Sequence, residues 1–197
     1  HNYSDCVWRK FDNTNEESFH KALAQQLDVK WVVDESKNLN WVLDTEYWAR
    51  SSNMQKFNII MVKEPIGFMY SQWKRERPLE TATKYFLKYY QRFLALNVPF
   101  VSVKLEELTA DPATKLEKIC NVIGMKYFEG KERFWEKQHC HLFGSLGLRS
   151  QITNGDMEIR HQTSYPKQFL QVADPQLKAF ENSNCYKRVH SKLMAKE

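Results

Sequence analysis

The sequence predicts an α/β fold in which a parallel sheet is flanked by helices. Two observations point there. Short apolar runs alternate with stretches of helical periodicity along the chain, the order that builds parallel βαβ units. The clearest run, Phe57–Val62, is continuously apolar, as a strand buried on both faces requires. With 197 residues, a single domain covering 1–197 is expected.

The elements follow in order. Glu16–Leu27 carries apolar residues at 19, 22, 23 and 27, a helical spacing, with Asn13 or Thr14 available as cap. Lys30–Asp34 reads as a short buried strand ending in a polar turn, Glu35-Ser36-Lys37, and Leu39–Arg50 as a helix. Phe57–Val62 is closed by Lys63-Glu64-Pro65. Ile66–Arg75 reads as a helix with Pro65 at its first turn, where proline is tolerated. After Pro78 a longer helix spans Glu80–Leu96, and its aromatic stripe at 85, 86, 89, 90 and 93 reads as core. Phe100–Val103 is a further strand. Ala113–Ile123 is a helix capped by Asp111, started by Pro112 and stopped by Gly124. Residues 131–156 are irregular, Met157–His161 is a short extended piece, and two helical stretches, Pro166–Val172 and Pro175–Lys192, end the chain.

Composition narrows the function. Apolar residues at 42% and charged residues at 27% exclude a disordered or fibrous chain. The net charge of +5 suits an anionic ligand as well as an ordinary basic surface. The densest basic pair, Lys74-Arg75, is followed by Glu76, so no nucleic-acid partner is expected. No run approaches the roughly 18 apolar residues of a membrane span. Four cysteines without close spacing argue against a disulfide framework. His139-Cys140-His141 are neighbours that point in different directions, so no metal is expected.

In open parallel sheets, ligands sit at the carboxyl ends of strands. Two such ends are polar here. One carries Asp34, Glu35, Ser36 and Lys37. The other carries Lys63, with a helix following directly and Ser71 eight residues on. A helix that starts at a strand end turns its free amides and positive dipole end toward that edge, and a lysine there adds a full charge, an arrangement that suits a phosphate.

These residues also carry a family resemblance. Ile59–Ser71 resembles the 3′-phosphate motif of the sulfotransferases that use 3′-phosphoadenosine-5′-phosphosulfate: an apolar strand, Arg-Asp-Pro, then a serine eight residues after the arginine. Pro65 and Ser71 match, and Lys63-Glu64 replace Arg-Asp. Val33–Lys37 resembles the Asp-x-Ser-Lys turn of bacterial-type members. Val103–Leu108 with Asp111-Pro112 and the helix ending at Gly124 resembles a downstream segment of the family. His141, Gly144 and Arg149 resemble its late nucleotide-closing loop.

The resemblance implies a P-loop-like sulfotransferase fold. It implies that Lys63 and Ser71, joined by Arg149, bind the 3′-phosphate of the donor, and that Ser36 and Lys37 face donor or acceptor. A base taken from Asp34, Glu35 or His20 would accept the proton of a small-molecule or carbohydrate acceptor, with Glu35 or Asp34 preferred. The family's Gly-rich 5′-phosphosulfate loop would precede residue 30. The first glycine is Gly67, so the domain is expected to be incomplete at its N-terminus. A non-catalytic sulfotransferase-like binding or structural subunit and a small-molecule kinase are the alternatives. Acceptor, oligomeric state and compartment stay open, although Trp41–Trp48 and Phe134-Trp135 are aromatic enough to line an acceptor pocket or to be core.

Overall fold

The structure, a computed structural model, describes residues 19–136, 159 and 162–195. It is mixed α/β, mostly helical, with a small parallel sheet. The chain divides into two compact units: Phe57–Glu132 with Glu158–Glu197, and His1–Lys56 with Arg133–Met157.

The larger unit holds the sheet. Strand β1 (Ile59–Val62) pairs in parallel with β2 (Val101–Lys104), Ile59 opposite Val101 and Val62 opposite Lys104. Burial alternates along β1: Ile60 and Val62 are buried, while Ile59 and Met61 are about 40% and 38% exposed. The expected burial on both faces is therefore corrected to one face, because only the Ile60/Val62 side packs into the core. Between the strands run α3 (Pro65–Trp73) and α4 (Leu79–Ala95), the right kind of connection for a parallel pair. After β2 come α5 (Leu105–Ala110), α6 (Pro112–Ile123), α7 (Lys167–Asn182) and α8 (Asn184–Met194).

The core is built from helix faces. Met69 of α3, Leu79 and Ala82 of α4, and Phe169 and Ala173 of α7 form one buried cluster. The α4 stripe divides as helix geometry demands: Phe86, Tyr90 and Phe93 are buried, and Tyr85 is exposed. Cys120 is core, as expected. The α8 end is tied to the sheet by the Ser102 hydroxyl, which donates to the carbonyl of Leu193.

The smaller unit contains α1 (Phe19–Gln26) and α2 (Leu39–Ser51), with a short 3-10 turn at Phe134–Glu136. Asn38 caps α2 by accepting from the Asn40 amide at 3.0 Å. The strand expected at Lys30–Asp34 does not form. That segment is irregular and Val33 is 83% exposed, because β-branched residues favour a strand only when a partner strand and a packed face receive them.

Two further boundaries differ from expectation. Residues 105–110 form a helix between β2 and Asp111, a stretch to which the sequence pattern assigns no element. At the C-terminal end, Pro175 lies inside α7, and the break falls at Ser183, whose extended backbone and hydroxyl cap α8. Apart from Ile159, the extended piece at Met157–His161 lies outside the described residues, as does most of the irregular stretch 131–156. Left-handed backbone occurs at Asp28, Asn53, Glu76 and Asn97, so in a glycine-poor chain several helix ends are closed without glycine.

Candidate functional site

β1 ends at Val62, and Lys63 and Glu64 carry the chain into α3. This two-residue link is held by side chains from two other elements. The Tyr90 hydroxyl of α4 donates to the Met61 carbonyl at 2.9 Å and accepts from the Lys63 amide at 3.3 Å. Burial pushes the Tyr90 phenol up to about 12, so it stays protonated and able to donate. The Glu106 Oε1 of α5 accepts from the Glu64 amide at 2.9 Å. Pro65 occupies the first turn of α3, where no amide is needed.

The link opens onto a cavity of about 150 Å³, lined among others by Lys63, Gly67, Ser71, Lys74, Glu106 and Tyr165. Pockets for drug-sized ligands run to roughly 300–1,000 Å³, so this space suits a phosphate group and its nearest atoms, not a whole nucleotide. Lys63 and Ser71, the pair predicted from spacing, share this wall. The Ser71 hydroxyl donates to the Phe68 carbonyl at 2.7 Å. The Lys63 ammonium has no hydrogen-bond or ion-pair partner among the described residues. Its pKa is lowered first by burial and further by Lys74 and Arg75, and Glu106 works in the opposite direction. Lys74 sits 4.8 Å from the centre of the Tyr70 ring.

Gly67 makes the cavity possible. A Cβ there would come within 2.8 Å of Lys63 Cε and 3.4 Å of the Tyr165 hydroxyl. Opposite stands Glu106. Its Oε2 is buried without a hydrogen-bond partner among the described residues, which is costly for a carboxylate oxygen.

The other predicted cluster belongs to the smaller unit. Asp34 organises it by accepting from the Ser36 amide at 2.8 Å, from Trp41 Nε1 at 2.6 Å and from His20 Nε2 at 3.0 Å. The His20 hydrogen bond above all, opposed by burial, holds the Asp34 carboxyl at about 2. A carboxylate this acidic is a poor proton acceptor near neutrality. His20 Nε2 lies 3.0 Å from the Asp34 carboxylate, so Asp34 orients the imidazole ring. Lys37 reaches the Glu35 carbonyl at 3.4 Å, and Glu35, Ser36 and Lys37 are all exposed. Trp41 packs edge-on against Trp48, with ring centres 4.9 Å apart.

Arg149, with His141 and Gly144, lies outside the described residues, as do His139 and Cys140. Among the described residues no three His, Cys, Asp or Glu side chains gather in metal-binding geometry. No described helix is long and apolar enough to cross a membrane. Tyr90, Gly67 and Tyr165 escaped the sequence reading: Tyr90 was hidden in a core stripe, and the others carry no charge to flag them. No family model matches the chain, and no curated protein or solved structure matches it either.

Proposed function

We propose that the chain is a sulfotransferase-type domain of P-loop-like fold, and that the cavity beyond β1 takes the 3′-phosphate of 3′-phosphoadenosine-5′-phosphosulfate. One observation carries the reading. Lys63 and Ser71, singled out by their spacing, line a single phosphate-sized cavity at the carboxyl end of a parallel strand, where a helix begins. A half-buried ammonium without a hydrogen-bond or ion-pair partner among the described residues is a ready counter-ion for such a group.

In the reaction, the acceptor hydroxyl oxygen bonds to sulfur while the sulfur–oxygen bond to the nucleotide phosphate breaks. The hydroxyl proton passes to a base, and 3′,5′-bisphosphoadenosine leaves. Charge grows on the leaving phosphate, so cations and amides positioned in advance supply most of the rate, as in phosphoryl transfer. The chain's part at the cavity is to fix the nucleotide by its 3′ end.

Calorimetry with 3′,5′-bisphosphoadenosine tests the reading. Binding is expected in the wild type, and Lys63→Ala should weaken it about tenfold or more, the loss of one charge-assisted contact. Failure of the wild type to bind removes the reading.

A further inference from the structure

Glu106 is an odd wall for an anion site. A carboxylate beside a phosphate repels it unless a proton lies between them. An ionised carboxylate offers about four acceptor positions, and among the described residues Glu106 uses one, for the Glu64 amide. Its Oε1 would lie 3.6 Å from a Cβ on Gly67, the same point that approaches Lys63 Cε and the Tyr165 hydroxyl. Cation, carboxylate and phenol thus converge on one small space. Its ligand must present negative oxygens to Lys63 and, alongside them, a donor to Glu106.

The geometry points to a ribose 3′-phosphate with its free 2′-hydroxyl as the group this cavity selects, with Lys63 meeting the phosphate and Glu106 accepting from the vicinal hydroxyl. The inference rests on the nucleotide reading above and deepens it: Glu106 becomes the residue that distinguishes a ribonucleotide from its deoxy counterpart. The chemistry also explains why a carboxylate is compatible with an anion here, since the neighbouring hydroxyl supplies the intervening proton.

Adenosine 3′-monophosphate and 2′-deoxyadenosine 3′-monophosphate, titrated calorimetrically, separate the possibilities. The wild type should bind the ribonucleotide about tenfold more tightly or better, as expected for one hydrogen bond to a charged acceptor. In Glu106→Gln, whose amide oxygen still accepts from the Glu64 amide, that preference should shrink to about twofold. Equal wild-type affinities for the two nucleotides overturn the inference and assign the proton to the phosphate itself, leaving the nucleotide reading intact. A preference that survives in a folded Glu106→Gln removes Glu106 from the role. Binding of neither nucleotide removes the nucleotide reading and the inference with it. The wild-type comparison needs no variant, so a misfolded Glu106→Gln does not shield the proposal.

Discussion

Lys63 is a half-buried ammonium without a hydrogen-bond partner among the described residues, next to the positive charges of Lys74 and Arg75. Such a group costs stability in its charged form, a cost that a bound anion would offset. The pH dependence follows from its lowered pKa. Between that pKa and the ordinary lysine value of 10.5 the unfolded chain binds more protons than the folded one, so this residue makes stability rise with pH through that window. Below the window the cost is fully present. Lys63→Met keeps the apolar stem and deletes the charge. It should melt at or slightly above the wild-type temperature near neutral pH, and it should lose the alkaline rise. Thermal melts by circular dichroism at pH 7 and pH 10 check both points. A clear loss of stability at pH 7 would make Lys63 a structural residue instead. Charge and spacing mark Lys63 and Ser71 in the sequence, and the fold brings both to the wall of one cavity. Glu106 and Tyr90 were not marked as site residues, because their work is done on backbone amides brought close only by folding.

At the scale of elements, legibility follows how local the signal is. α6 has a complete local code: Asp111 accepts from the Thr114 amide at 3.3 Å, Pro112 fills the first turn, and Gly124 closes the helix in left-handed backbone at φ 70°. Asp111→Ala should therefore cost about 1 kcal/mol, a fall of roughly 2–4 °C in melting temperature, whereas Asp111→Ser, which restores an acceptor, should recover most of it. α7 shows the opposite case. Pro175 suggests a boundary, and it forgoes the bond to the Gln171 carbonyl, yet the helix continues. It does so because Phe169, Ala173 and Leu177 lie at intervals of four on one face and pack into or against the same core, while the proline is exposed. The break comes at Ser183 instead, whose hydroxyl accepts from the Tyr186 amide at 3.2 Å. Lys30–Asp34 failed as a strand for a non-local reason: pairing requires a neighbour, and no property of the five residues records one. Asp34 is spent on an Asx-type turn with Ser36.

For the larger unit as a whole, core and cavity share a wall. Phe169 is fully buried, with its ring centre 5.1 Å from Tyr70 and 5.7 Å from Tyr165, and both tyrosines line the cavity. Residues nearly a hundred positions apart therefore set one surface, which is why the mixed α/β character could be read from local patterns and the cavity's far wall could not. Removing the ring in Phe169→Ala should cost roughly 3–5 kcal/mol, a large part of the ~5–15 kcal/mol that holds a typical domain together. The milder Phe169→Leu keeps an apolar side chain and should leave the chain folded while loosening Tyr70 and Tyr165. Its melting temperature should drop by several degrees, and its affinity for adenosine 3′-monophosphate should fall severalfold although no ligand contact is removed. Melting curves and titrations on the same samples separate the two effects. If Phe169→Leu is destabilised but binds as the wild type does, the tyrosine wall is not positioned by the core, and the cavity is organised by Lys63, Ser71 and Glu106 alone.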